Sequence, residues 1–209
     1  MSVATAGPHP TYLYGVVPAG TTLEQTVGVE GAPIRTIEHD GIAAIVSEVR
    51  QSWLQFARGE RRTHSLVLAS ALEHGSVLPM RFGLVMEDTA AVQELLDTHQ
   101  DELREHLQGL AGRVEFRLRA VYEDGVAESC TADAWQILET LERFAVAVAP
   151  ANPLHDRMVL NAAFLVGNDD VETFAAVVDQ AGHQQVGRMR LKRNGPLPPH
   201  SFVDLRMEA

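Results

Sequence analysis

The groups that could do chemistry in these 209 residues are a single thiol, nine histidines and 28 carboxylates. Cys130 lies in Glu128-Ser129-Cys130-Thr131, read as a loop before a helix, with no histidine within twenty residues on either side. A thiol becomes a nucleophile only where its thiolate is stabilised, so this cysteine reads as structural or incidental. His99 and His106 are seven positions apart on a predicted helix with Glu102 between them, a spacing that could supply metal ligands from successive turns. No His-Glu-x-x-His or His-x-x-x-His pair accompanies them, and helical His and Glu most often form a solvated face. His64 and His74, ten apart, carry no more than that. There is no Gly-x-x-x-x-Gly-Lys, no Gly-x-Gly-x-x-Gly after a strand and no Gly-x-Ser-x-Gly elbow. The carboxylates are scattered over helix surfaces, so no acid/base pair can be named. The sequence therefore offers no residue-level support for an enzyme, and neither cofactor nor metal is expected.

Composition narrows the class further. At 45% hydrophobic and 22% charged residues the chain can bury a core of ordinary size. Lys and Arg number 17 against 28 Asp and Glu, a formal charge of −11 that argues against nucleic-acid binding and favours solubility. The N-terminal ten residues hold neither basic residues nor an apolar stretch, so they cannot serve as a secretory signal. The longest apolar runs, 144–151 and 162–166, are far short of the ~18 residues of a membrane span. One cysteine permits no internal disulfide. A cytoplasmic protein is expected.

The elements that position these groups follow from periodicity. Residues 1–10, with Gly7, Pro8 and Pro10, read as a disordered leader. Tyr12 to Val17 is an aromatic and β-branched strand stopped by Pro18. Ile34–Glu38 and Ile42–Ser47 flank His39-Asp40-Gly41, whose Asp-Gly predicts a hairpin. Val67, Leu68, Ala71 and Leu72 mark a helix over 62–74 that Gly75 ends. Val77–Pro79 and Arg81–Val85 are extended. One long helix follows from Glu87 or Asp88 to Gly109–Gly112, with Val92, Leu96, Leu103, Leu107 and Leu110 on its apolar face.

In the second half, Val114, Phe116, Leu118, Ala120 and Tyr122 alternate with Arg113, Glu115, Arg117 and Arg119 in a half-buried strand. A helical stripe runs from Ala134 through Ile137, Leu138 and Leu141 to Ala145 and Val148. Residues 157–166 are apolar at nearly every position, which predicts a central strand covered on both faces. Asp169-Asp170 opens another helix with Val171, Phe174, Ala175 and Val178 inward. A last strand alternates Gly187, Met189 and Leu191 with Arg188, Arg190 and Lys192. The expected fold is α+β in two modules, ferredoxin-like in the N-terminal part and modified ferredoxin-like in the C-terminal part, with helices on one face of each sheet. The expected boundaries are a leader at 1–10, a module at 11–86, a connecting helix at 87–112 and a second module at 113–209 with a Pro-rich C-terminal latch.

Three stretches carry a family resemblance. The first is Tyr12-Leu13-Tyr14-Gly15-Val16-Val17 together with Gly41-Ile42-Ala43-Ala44-Ile45-Val46-Ser47-Glu48-Val49. The second is Val77-Leu78-Pro79-Met80-Arg81-Phe82-Gly83-Leu84-Val85. The third pairs Leu160-Asn161-Ala162-Ala163-Phe164-Leu165-Val166 with Asn194-Gly195-Pro196-Leu197-Pro198-Pro199-His200-Ser201-Phe202-Val203. In this order they resemble the gas vesicle protein F/L family, with Leu197 and His200 where the family ending has Trp and Tyr. The stretch between Tyr122 and Arg157 looks short for that family. The resemblance implies a cytoplasmic accessory protein of gas vesicles that binds the small structural shell protein, and other accessory proteins with it, to help nucleation or assembly. A minor structural component of the vesicle, or a small-molecule-binding regulatory α+β domain, is the alternative.

The motif residues Pro79, Arg81, Phe82, Gly83, Asn161, Gly195, Pro196 and Phe202 read as conformational. Pro79 removes a backbone donor and Gly83 permits positive φ or close approach. Arg81 reads as a buried clamp on carbonyls or a carboxylate, with partner contact as the other possibility. The stiff 195–199 run presents or pins Phe202, either as a latch on the body or as a docking peptide. Arg113, Arg117 and Arg119, with Arg188, Arg190 and Lys192, are expected as an outer row beside the apolar 157–166 strand. That row either docks an acidic amphipathic partner segment or pairs with the chain's own carboxylates.

Overall fold

The aromatic and β-branched run is extended as β1 (Thr11–Pro18), which lies inside the first sheet. β2 (Ile34–His39) and β3 (Ile42–Glu48) form the expected hairpin. Both turn residues have positive φ, 38° at Asp40 and 85° at Gly41, which is what a two-residue connection between right-twisted strands demands. After α1 (Arg58–Glu73), two short strands pair in turn with β1: β4 (Leu78–Pro79) at Gly15 and Val16, and β5 (Val85–Met86) at Thr11 and Tyr12. The strand order is β2-β3-β1-β4 and all pairings are antiparallel.

The computed structural model describes residues 9–50, 58–123 and 127–204. The expected leader thus lies outside the described residues except at His9 and Pro10, and the Pro10 carbonyl already accepts the Val49 N–H at 2.9 Å.

The expected long helix is two helices, α2 (Thr89–Thr98) and α3 (Gln100–Leu110), broken at His99 with φ −109° and ψ 18°. A one-residue break leaves the apolar set in phase, so Val92, Leu96, Leu103, Leu107 and Leu110 are all buried, and periodicity could not reveal it. Asp88 caps α2 by accepting the Ala91 N–H at 2.9 Å, and Asp101 and Glu102 stand in the first turn of α3, where the dipole favours them. Both helices pack on β1, so they belong to the first unit. The chain divides between Ala111 and Gly112.

The second unit runs β6 (Arg113–Tyr122), α4 (Ala127–Glu142), β7 (Ala147–Pro150), β8 (Met158–Gly167), α5 (Val171–Gln184) and β9 (Met189–Leu197). Its sheet order β7-β8-β6-β9 with two crossover helices is the ferredoxin-like arrangement, and the first sheet shares that order with a loop in place of the first crossover helix. Cys130 falls within α4 rather than in a loop before it. The helical stripe expected to reach Val148 ends at Glu142, and β7 follows. Phe144-Ala145-Val146-Ala147-Val148 contains no Gly or Pro to stop a helix. Pairing with β8, Ala147 opposite Leu165 and Val148 opposite Phe164, decides the strand.

Beneath α4 and α5, Phe116 of β6 and Phe164 of β8 meet Phe174 of α5 with ring centroids 5.1 and 5.3 Å apart. These side chains, with Leu118, Ala120, Leu141 and Val178, are the core of the second unit. In the first unit, Tyr12, Tyr14, Ala43 and Ile45 pack with Val67, Leu68 and Ala71 of α1. The alternate residues Ile42, Ala44 and Val46 are buried too, and α2 contacts all three strands β1 to β3. Both faces of this sheet are therefore covered.

The two tyrosines of β1 bring hydroxyls into this core and use them to hold loops. Tyr14 Oη accepts the Val29 N–H at 2.7 Å and shares a hydrogen bond with Ser47 Oγ at 2.9 Å. Tyr12 Oη accepts the Gly83 N–H at 3.1 Å and meets His64 Nδ1 at 2.9 Å. Burial raises both phenol pKa values above the ordinary 10, so each hydroxyl keeps its proton. A Cβ at Gly28 would overlap the Tyr14 hydroxyl, which accounts for glycine there. Tyr14→Phe is expected to destabilise the protein by about 1–3 kcal/mol, because it leaves the buried Val29 N–H and Ser47 Oγ without this partner. Chemical denaturation of the two proteins measures the difference.

Candidate partner-binding face

Residues of β6 alternate between the helix-covered face, marked by Phe116, and the opposite face, which carries Glu115, Arg117 and Arg119. Glu115 has no exposed surface. Its carboxylate accepts the Ser201 N–H at 2.7 Å, the Ser201 hydroxyl at 3.0 Å and the Arg117 Nε–H at 2.5 Å. Buried carboxylates need such donors, and here two of them come from the C-terminal segment. The run after Leu197 therefore folds back over this end of the sheet, with Pro198 and Pro199 buried. It is a latch on its own unit. At Gly195 the φ of 146° and the close approach to Phe116 and the Glu115 carbonyl leave no room for a side chain. Pro196 is exposed beside it and Phe202 is half-buried in the terminal turn.

Three of the six residues in the expected basic row are set apart from the rest. Arg117 is committed to Glu115. Arg113 opens β6 opposite Gly167, half-buried at the far end of the strand. Arg188 is not in the outer row: it precedes β9 and reaches Asp133 of α4 at 2.6 Å, on the helix side of the sheet. The apolar strand beside the row is covered on this face too, as expected for a central strand, with Ala163 and Leu165 each 5% exposed. Remaining together are Arg119, Lys192 and Arg190. Arg119 lies directly opposite Lys192, and Val121 opposite Arg190, on the same face.

A cleft of about 380 Å³ opens at this end of the sheet. Arg157, immediately before β8, is a fourth cation there. It donates to the Tyr122 carbonyl at 3.2 Å, its guanidinium 6.0 Å from the Tyr122 ring. The single carboxylate in the lining is Glu123, 3.8 Å from an Arg190 that is 82% exposed, a pair worth little. Val121 and Met158 supply apolar surface. Arg119 Nε is buried without a hydrogen-bond acceptor among the described residues. A signal was present in the sequence: Arg119 and Lys192 fall on the outward parity of neighbouring strands, but the register that sets them opposite each other was not legible.

The remaining motif residues take structural places. Pro79 is buried in β4 opposite Gly15. Phe82 packs edge-on to Tyr12 and His64, with the Arg61 guanidinium 4.5 Å above its ring. Gly83 has φ 94° and is held by Tyr12. Asn161 Nδ2 donates to the Asn152 carbonyl at 2.7 Å, closing the β7–β8 loop. Arg81 departs from expectation: it is exposed and makes no hydrogen bond or ion pair with a described residue, so it is not a buried clamp. The hydroxyl of Tyr12 and the Tyr14 carbonyl, which accepts the Met80 N–H at 2.9 Å, hold this segment instead. His99 Nδ1 and His106 Nε2 do flank the exposed Glu102 carboxylate, at 3.3 and 3.9 Å, with both imidazoles half-buried. No group of three or more His, Cys, Asp or Glu among the described residues is arranged to hold a metal ion.

Fold and face together define a class: a two-unit α+β protein of ferredoxin-like strand order, with a cation-lined sheet end in its second unit. A family model described as gas vesicle synthesis protein GvpL/GvpF matches residues 10–135 and 123–204. The chain belongs to that family. It is 30% identical over 242 residues to gas vesicle protein F of Streptomyces sp. (strain CB03234), covering 93% of this chain and 99% of the relative. It is 27% identical over 206 residues to gas vesicle protein F2 of Halobacterium salinarum, covering 95% and 94%. The crystal structure of GvpF from Anabaena sp. PCC7120 superposes with a TM-score of 0.84 at 23% identity, over 96% of this chain and 98% of that one. GvpF from Microcystis aeruginosa gives 0.81 at 21% identity, over 94% and 99%. The family is named for gas vesicle synthesis rather than for a catalysed reaction. No described helix is long and apolar enough to cross a membrane.

Two outcomes follow. Arg81→Ala is expected to leave the unfolding free energy within about 0.5 kcal/mol of the parent, as for other exposed side chains free of partners; a larger loss in denaturant titration would restore the clamp. His200, within the latch, has its pKa lowered chiefly by burial; the Glu115 charge opposes this and the Arg117 charge adds to it. The unfolded chain then binds the proton more readily. The stability His200 contributes is full above the ordinary value of about 6.5 and is lost as pH falls from there through the lower folded value. Melting temperatures between pH 8 and 5 should fall less in His200→Tyr than in the parent.

Proposed function

We propose that this protein is an accessory factor of gas vesicle formation that binds the small structural shell protein during nucleation or assembly. Membership of the GvpL/GvpF family supplies the process. The observation that carries binding is the cluster of Arg119, Arg190 and Lys192 on one sheet face of a chain whose formal charge is −11. Cations set opposite one another destabilise a sheet unless something outside compensates them. An external polypeptide carrying carboxylates would do so, and the steering it provides suits capture of a partner from solution. The protein acts in the cytoplasm, where the vesicle is built, and its other contacts are with further accessory proteins of the same process.

The test is co-purification of the full chain with the small shell protein, paired with flotation of intact vesicles. Capture of the shell protein is expected, with capture weakening as salt rises. The chain should remain in the subnatant after washed flotation. Failure to retain the shell protein at low salt would remove the binding role, and retention on washed vesicles would make the chain a vesicle component instead.

A further inference from the structure

The cleft beside β9 has a feature that a general basic patch lacks: two of its cations, Arg119 and Lys192, face each other across two strands with no carboxylate partner among the described residues. Arg119 and Lys192 are cross-strand neighbours on β6 and β9. Arg119 faces Asn161 on its other side, so no carboxylate adjoins it in the sheet. Neither Arg119 nor Lys192 forms an ion pair or side-chain hydrogen bond with a described residue, and Arg119 Nε is shut off from solvent as well. A buried guanidinium N–H without an acceptor is costly, and a like-charge pair across two strands adds to the cost. On a protein with 28 carboxylates, the absence of any described carboxylate beside this pair is a specific arrangement.

The lining also says which anion fits. Val121 and Met158 give the cleft an apolar wall, and the Tyr122 ring stands beside the Arg157 guanidinium. A bare inorganic anion would use the cations and leave this apolar surface wet. A segment carrying a carboxylate beside an aliphatic side chain would use both, the carboxylate taking the Arg119–Lys192 end. The volume of about 380 Å³ admits a few side chains rather than a folded domain.

We infer that this cleft, between Arg119, Lys192, Arg190 and Arg157, is a receptor for an acidic, amphipathic polypeptide segment whose carboxylate is gripped between Arg119 and Lys192. The inference deepens the partner-binding reading above and rests on it for the identity of the protein that carries the segment, but not for the chemistry of the site.

Lys192 is the only lysine in the chain, which makes the test sharp. The probe is an N-acetylated, C-amidated, dye-labelled peptide of alternating leucine and glutamate, with a leucine–glutamine peptide as the neutral control. By fluorescence anisotropy with the full chain, the glutamate peptide is expected to bind at least about tenfold more tightly than the control, with affinity falling as salt rises. The exposed pair Arg190→Glu and Lys192→Glu should weaken it by about tenfold or more while the melting temperature holds. Carbodiimide coupling should join a probe carboxylate to Lys192.

Equal affinity for the two peptides, unchanged binding in the double variant, or coupling that avoids Lys192 would each overturn the inference. So would inorganic pyrophosphate that binds the cleft as tightly as the peptide, since that describes a small-anion site. Shell-protein capture run on the same proteins separates the two readings. Peptide binding without capture by the parent chain overturns the accessory-factor reading and leaves the cleft standing. Capture without peptide binding does the reverse.

Discussion

A carboxylate with no solvent-exposed surface can stay in a sheet only where donors reach it, and at Glu115 two of the three come from Ser201, eighty-six positions away in sequence. That requirement fixes where the C-terminal segment lies. It also commits Arg117, which closes the third side of the carboxylate, and so decides which cations of the second sheet remain available. The end of the sheet near Glu115 is closed, with Ala163 and Leu165 buried, while the other end, at Arg119 and Lys192, opens into the cleft. One buried charge thus separates a latched half of the face from the half where the cleft opens.

The first unit solves a related problem with hydroxyls in place of a charge. β1 is buried along nearly its whole length, yet its tyrosines carry polar ends that must be satisfied inside. They are satisfied by loop backbone: Val29 by Tyr14 and Gly83 by Tyr12. The segment from Pro79 to Gly83 is consequently held to the strand from which it is most remote in sequence within this unit's sheet, and Phe82 is clamped between the aromatic cluster and Arg61. Arg81, flanked by these anchored residues, is left pointing outward.

The cleft stands out against the ion pairs that several other arginines make. Arg35, Arg104, Arg143 and Arg193 all find carboxylates within ion-pairing distance, as an acidic chain makes easy. Arg119 and Lys192 face each other with no carboxylate partner among the described residues. Stability alone would favour a carboxylate at one of these positions, and its absence is what directs attention to an external anion.

Much of this was legible in the residues themselves. An aromatic and β-branched run located β1, alternation β6 and a nearly unbroken apolar run β8, the Asp40-Gly41 pair specified the β2–β3 hairpin, and the motifs from Pro79 to Gly83 and Gly195 to Phe202 pointed to the family, because each rests on local backbone preference or on residue order. Three things depended on contacts distant in sequence. The break at His99 preserves the helical phase and so leaves no periodic trace. The strand status of residues 147–150 comes from pairing with β8, since Ala and Val there fit either conformation. The division of the basic residues came last: Arg188 turns to Asp133, Arg117 to Glu115, and only strand register places Arg119 opposite Lys192. Charge type is written in the sequence, but whether a charge meets a partner is a matter of a few ångströms across neighbouring elements, and that only the folded chain decides.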